Sequence, residues 1–534
     1  MSVLNHKYLD KDIWKKNNVD VPTYDIEHMR SITLKEPTWI HFGAGNIFRL
    51  YIAGLQDTLL RKHLTDHGII VGETFDKEII ENIYKVNDQL TLSVIMRNDG
   101  TFPLKIIASV ADSYSCDSQS TDGYNKFVDY FRQEKLQMVS LTVTEKGYCI
   151  KNSKGEYLPE VKKAFLEGPG VSDNIMVNIS SLLYERFCAG SLPIAIVSMD
   201  NCQANGKVLF ESIASIAYNW EKNGVVVTGF TEYLENPCKV AFPWSMIDKI
   251  TPRPSDKVKT MLEKCGFTGM EPICTSKNTH IAPFVNAEEA QYLVVEDSFP
   301  NGRPQLEMAG VIFTDRDTVS KVEAMKVTAC LNPLHTALAV FGCMLGYSSI
   351  AEEMNNEQLV RLIKKIGYEE ALPVVEDPKI LNPVTFIDEV IKTRLPNENI
   401  PDTPQRIATD TSQKIPIRFG NTICRYLSEG KDTDNLEGIS IVLAGWMRYL
   451  LGKDDNGLTI TLSPDPLLEE LIPVINRAAQ GDVSSMESIL RRKDVFGVDL
   501  IDAGMGDKVK EIFNKMKAPN GIKKVLSEYM GETE

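Results

Sequence analysis

The chain has 534 residues, more than one hydrophobic core accommodates, so it divides into two or more domains. Hydrophobic content of 43% and charged content of 25% are ordinary for a soluble globular protein, and a formal net charge of −15 argues against a nucleic-acid partner. Ten cysteines form no CxxC pair and seven histidines no HExxH, so no metal site is expected and the thiols read as reduced ones in a cytoplasmic protein.

The amino terminus, "MSVLNHKYLDKDIWKK", is too polar for a signal peptide. No apolar run approaches the roughly 20 residues of a membrane span, so no membrane partner is expected. Short β-type runs follow at 38–43, 68–73, 138–143, 193–200 and 224–230, separated by helical stretches such as 47–64. Near-continuous apolar strands alternating with helices predict a parallel sheet covered on both faces. The segment 294–317 carries Pro and Gly and reads as an interdomain connection, and from about Val319 the pattern is helical almost throughout. The expectation is an α/β Rossmann-like N-terminal domain over 1–295 and a mostly α-helical C-terminal domain over 296–534.

The first strand–turn–helix carries chemistry. "HFGAGNIFR" places Gly43, Ala44 and Gly45 at a strand end and Asn46, Ile47 and Phe48 at a helix start. Glycines there permit a tight turn and a close main-chain approach to a pyrophosphate at the helix N-terminus. Phe48 stands where the usual third glycine would be, so the pattern is incomplete and a plain βα turn is the alternative. The second strand ends in "VGETFD", where Glu73 or Asp76 is placed to hold ribose hydroxyls and to favour NAD over NADP. Glu73 lies closer to the strand end, and Asp76 alternatively caps the next helix. Later strands end in Thr144, Glu145 and Lys146, and in Asp200 and Asn201. These are crevice positions of an open α/β sheet, or solvated loop residues.

Farther along, "KVTACLNPLHTA" sets Lys326, Asn332 and His335 in an apolar, helix-like stretch that also contains Pro333. Lysine is rarely buried unpaired, and an interior proline costs roughly 3 kcal/mol, so either this element lines a polar cavity or it is not one regular helix.

With these motifs in place, the sequence resembles the long-chain mannitol dehydrogenase family of polyol-specific dehydrogenases, from about Pro37 to about Leu500. "HFGAGNIFR", "SLTVTEKGY", "MDNCQANG", "FPWSMIDKITP", "VEAMKVTACLNPLHTA", "ATDTSQKIP" and "AGWMRYLLG" occur in the family's order. The resemblance implies a metal-independent NAD(H)- or NADP(H)-dependent oxidoreductase, monomeric or homodimeric, acting on a small polyol or sugar acid. It implies Lys326 as general acid/base, Asn201 and Asn332 as donors to the reacting oxygen, and His335 as a substrate-positioning group, with the helix facing an interdomain cleft. Hydride delivery to a ketone leaves an alkoxide. Amide donors stabilise that charge and an ammonium protonates it; the reverse step needs the amine, and so requires burial to lower the lysine's pKa towards neutrality.

Glu323 matches the family's acidic residue three before the lysine, but Ser320-x-x-Glu323 equally fits a capping box. Asp248 matches a family position and equally reads as a cap. The family commonly spaces Lys-x4-Asn-x2-His, whereas five residues separate Lys326 from Asn332 here. On a regular helix the extra residue rotates the lysine by about 100°, so its role requires a π-bulge or a kink near Pro333. "RIATDTSQKIP" resembles the segment whose basic residues meet the far end of the substrate. Arg406 and Lys414 there suit a hexuronate carboxylate, neutral hydroxyls or surface ion pairs. "SQKIP" and "AGWMRYLLG" look most like the family's hexuronate reductases. The expected reaction is reduction of D-fructuronate to D-mannonate with NADH, ahead of tagaturonate reduction and mannitol or arabinitol oxidation. A non-catalytic sugar-acid or nucleotide-binding protein is the alternative from another class.

Overall fold

The computed structural model describes residues 4–117, 121–152 and 154–531, all but the side chain of Glu145. Contacts divide the chain into two compact units, Met1–Ser320 and Lys321–Glu534.

The first unit is built on six strands: β1 (Trp39–Phe42), β2 (Ile69–Glu73), β3 (Val110–Ser115), β4 (Met138–Leu141), β5 (Ile194–Ser198) and β6 (Val240–Ala241). They form one sheet in the order β3-β2-β1-β4-β5-β6, parallel throughout, with His41 opposite Val71 on one side and Ser140 on the other. This is the strand order of dinucleotide-binding folds, with the order reversing beside β1. Every residue of β1, β2, β4 and β5 is buried, because helices cover both faces and an apolar run satisfies both.

Three features depart from the sequence expectation. The run 224–230 is not a strand. Gly224 and Gly229 have positive φ and bound a loop in which Val226 plugs the core while Val227 is exposed. Conversely, β3 is an edge strand whose sequence, VADSYS, is buried at only three of its six positions, so its polar half obscured it. The segment 294–317 is also more than a connection. Tyr292–Glu296 pairs with Ser245–Asp248 on one side and Ile312–Thr314 on the other, and the compact unit runs on to Ser320.

The second unit is helical. The helical stretch Arg316–Leu345 is long and apolar enough by composition to cross a membrane, but 78% of its most apolar window is buried within the fold. Helix Glu437–Tyr449 packs closely against Asn332–Leu345. A Cβ on Gly445 would come within 2.7 Å of the Phe341 ring, so glycine permits that approach. The carboxylate of Glu370 accepts from Gly438 N and Ile439 N and caps the helix start.

Candidate active site

In the first unit, the turn after β1 is tied down from three sides. Gly43 has φ +109°, and a Cβ there would lie 2.4 Å from the Thr142 carbonyl oxygen. Its N–H donates to Gly72 O at 3.0 Å. Thr142 Oγ1 lies 3.3 Å from Gly43 O and 2.9 Å from His41 Nε2, while Ser140 Oγ contacts the other ring nitrogen. Desolvation pulls the buried His41 down to about 3, so it is a neutral strut. Phe48 stacks on that imidazole at 4.0 Å. The aromatic ring fills the core beneath the turn, so the missing third glycine leaves no hole. Gly45 is different: nothing lies within 4 Å of where its Cβ would be. Neither its backbone nor the protein around it demands glycine, and the open space fits close approach of a phosphate-bearing ligand. Asn46 and Ile47 are half-buried beside it, and the Asn46 side-chain oxygen accepts from Arg49 at 3.4 Å.

The two carboxylates at the end of β2 behave differently. Glu73 is 7% exposed and acts as a clamp: Oε2 accepts from Ala44 N at 2.8 Å, and Oε1 from Phe75 N and Asp76 N. Burial raises its pKa, against the pull of these three donors. Asp76 is 3% exposed; Oδ2 accepts from Thr275 Oγ1 at 2.6 Å, while Oδ1 has no hydrogen-bond partner. Although Asp76 stands at the start of helix Lys77–Ile79, its side chain does not cap it.

At the end of β4, Thr144 is exposed at the head of the short turn Glu145–Tyr148, and the Glu145 side chain lies outside the described residues. At the end of β5, Asp200 accepts from Tyr148 Oη, from Ser198 Oγ at 3.2 Å and from Cys202 N at 3.0 Å. Burial pushes its carboxyl up to about 6. Asn205 bridges Asp200 O and Ser245, fixing the loop that carries the exposed Asn201. Asp248 is a buried residue at the end of strand Ser245–Asp248, paired with Tyr292.

In the second unit, the apolar stretch is two helices joined by a π turn. Lys326–Cys330 is π-helical, and Leu331 N donates to Lys326 O at 3.2 Å, five residues back. A new α-helix begins at Asn332, placing Pro333 in its first turn, where the missing N–H costs nothing. The π turn absorbs the additional residue between Lys326 and Asn332. Lys326 is buried at 7% exposure, and Asn332 is half-buried at the helix start. Glu323 lies one turn before the lysine. The capping-box reading is excluded because Ser320 is inside helix Arg316–Met325, donating back to Arg316 O, while Asp315 caps through Thr318 N.

His335 Nε2 lies 3.0 Å from Asp402 Oδ2, an ion pair when the imidazole is protonated. Asp402 Oδ1 in turn accepts from Arg406. Burial pulls the Asp402 carboxyl up, but His335 and Arg406 together hold it below its usual range. Lys414 donates to the carbonyls of Ile407 and Thr409, and desolvation, then the neighbouring Arg418, lowers it to about 8. Arg418, which the sequence reading overlooked, donates to Thr336 Oγ1 and to Asn332 O at 3.4 Å. Its nearest signal was an arginine one turn after Lys414 in "SQKIPIR". Asp402 was also overlooked. Among the described residues no three His, Cys, Asp or Glu side chains cluster as metal ligands.

Comparison with known proteins gives a consistent pattern. The family model of the mannitol dehydrogenase Rossmann domain matches residues 37–308, and that of the mannitol dehydrogenase C-terminal domain matches 318–518. The chain is 49% identical to D-mannonate oxidoreductase of Thermotoga maritima, over 98% of both proteins. It is 28% identical to mannitol 2-dehydrogenase of Pyrenophora tritici-repentis, over 92% of this chain and 81% of that one. Its fold is similar to that of Pseudomonas fluorescens mannitol 2-dehydrogenase, solved with NAD and D-mannitol. There the TM-score is 0.73 and the identity 24%, covering 96% of this chain and 97% of that one.

Proposed function

The chain belongs to the mannitol dehydrogenase family, and from that membership we propose that it is an NAD(H)-dependent oxidoreductase that reversibly reduces D-fructuronate to D-mannonate. The observation that carries the catalytic part is the π turn at Lys326–Cys330, which offsets the unusual lysine spacing. The choice of sugar acid rests on the 49% identity to a D-mannonate oxidoreductase. The non-catalytic alternative rested on that spacing alone and loses its support.

The turn Gly43–Phe48 suits the pyrophosphate of the dinucleotide, with Gly45 giving main-chain access and Glu73 holding Ala44 in place. Asp76, with one unengaged oxygen, is the better ribose partner, and Glu73 acts through the turn. When bound, NADH supplies the hydride. Asn201 and Asn332 donate hydrogen bonds to the substrate oxygen as negative charge develops on it, and the Lys326 ammonium gives that oxygen its proton. In the oxidative direction the Lys326 amine takes the proton back. His335, backed by Asp402, orients a substrate hydroxyl, and Glu323, one turn before the lysine, tunes or relays its proton. By the same resemblance, Asp248 belongs to the substrate surroundings and Thr144 to those of the cofactor. Following NADH consumption against D-fructuronate, D-tagaturonate, D-fructose and D-xylulose tests the reading. A preference for either neutral ketose over both uronates would overturn it.

A further inference from the structure

Three cations lie on the segment from Arg406 to Arg418, and their charges are differently committed. Arg406 is neutralised by Asp402. Lys414 spends hydrogen bonds on two main-chain carbonyls. Arg418 is half-buried, yet among the described residues no carboxylate lies within ion-pairing distance of it. One Nη carries both of its hydrogen bonds, to Asn332 O and Thr336 Oγ1, and the rest of the guanidinium fork makes none among the described residues. A desolvated cation without an anion is costly unless a ligand supplies the charge, and the free edge of a guanidinium matches a carboxylate in bidentate geometry.

We propose that Arg418 receives the substrate carboxylate, with Lys414 one turn away as its second cation, and that this residue separates sugar acids from neutral ketoses. The inference rests on the hexuronate reading above and names the group that would enforce it. The anchor atoms place Arg418 appropriately. It is fastened to the carbonyl of Asn332, whose side chain is assigned to the reacting oxygen, and to the next helical turn. A ketohexuronate carries its carboxylate several bonds from its ketone, so the anion's anchor must adjoin the oxyanion donors without coinciding with them. Arg406, bound to Asp402, is left to meet hydroxyls.

The test compares Arg418→Met and Arg418→Lys with the native enzyme, using NADH with D-fructuronate and with D-fructose, which has the same carbon chain but CH2OH in place of the carboxylate. Loss of a charge-assisted pair should lower kcat/KM for D-fructuronate by about 10- to 100-fold in Arg418→Met, with D-fructose changing only a few-fold and NADH affinity unaltered. Arg418→Lys should recover part of the loss. The native KM for D-fructuronate should rise with ionic strength, and Arg418→Met should weaken that dependence to the part that Lys414 supplies. Equal losses on both sugars, or a salt dependence undiminished in Arg418→Met, would show that Arg418 only braces the helix start and would overturn the proposal. If D-fructose is not turned over at all, the salt dependence decides. Should Arg418→Met melt before assay, Arg418→Lys carries the comparison, because it keeps the charge and loses the fork. A native enzyme inert towards every uronate fails the functional reading itself, and this inference falls with it.

Discussion

The main-chain N–H of Leu331 donates to the carbonyl of Lys326 across 3.2 Å, so one wide turn separates the buried lysine from the helix that begins at Asn332. An α-helix advances about 100° per residue, and a π turn takes up one residue without that rotation. Deleting Val327, which should close the wide turn to an α-turn, is therefore expected to keep Lys326 facing the same way and to retain at least about a tenth of native turnover. Inserting an alanine after Val327 should abolish turnover while the far-ultraviolet circular dichroism stays native. The reverse ranking of the two variants would contradict this account of the spacing.

Lys326→Ala should lower kcat by about 10²- to 10⁴-fold, the range for loss of a positioned proton donor. NADH affinity, measured by fluorescence titration, should stay within a few-fold because the lysine acts on the substrate oxygen. The variant's pH–rate profile should also lack the ionisation that belongs to the lysine.

The cofactor preference should divide between two carboxylates. The native enzyme should favour NADH over NADPH, since buried acids at the end of β2 repel a 2′-phosphate. Asp76→Asn should narrow that gap. Glu73→Gln should instead weaken both cofactors together and lower the melting temperature, because it loosens the clamp on Ala44. Indifference of the native enzyme to the 2′-phosphate would remove the basis for both.

Glu353 is fully buried, neither carboxyl oxygen has a hydrogen-bond partner, and burial, then Glu352 and Asp402, pushes its pKa up to about 10. The unfolded chain releases this proton near the ordinary glutamate value of 4.5, so between 4.5 and about 10 the folded state binds more protons than the unfolded state. Stability from this group is thus complete below the unfolded pKa and declines as pH rises through that window. Glu353→Gln removes the titration, so its melting temperature should gain on the native protein steadily from pH 5 to pH 9. A gap that stays constant with pH would mean that Glu353 ionises normally.

Extended dialysis against a strong chelator should leave NADH-dependent activity intact, as the proposed proton donor and oxyanion donors are all side chains of this protein. Loss of activity restored specifically by zinc would require a different mechanism.

Much of this protein is local and therefore legible in its sequence. The buried strands β1, β2, β4 and β5 announce themselves by unbroken apolar runs, since both faces of each are covered. The glycine turn is legible because only glycine reaches the φ of Gly43. Lys326, Asn332 and His335 stand out as polar residues in an apolar context. What the sequence left open depends on neighbours distant along the chain. β3 is polar because it lies at the sheet edge, and the valines at 225–227 fail to form a strand because glycines end the run on both sides. Only the fold shows that Glu73 is consumed by Ala44, Phe75 and Asp76, that Arg406 is consumed by Asp402, and that Arg418 is not consumed by any carboxylate among the described residues. Residue type fixes which chemistry a side chain can perform. Which partner already holds it, and so whether it remains available to a ligand, is decided by contacts between segments that no local pattern records.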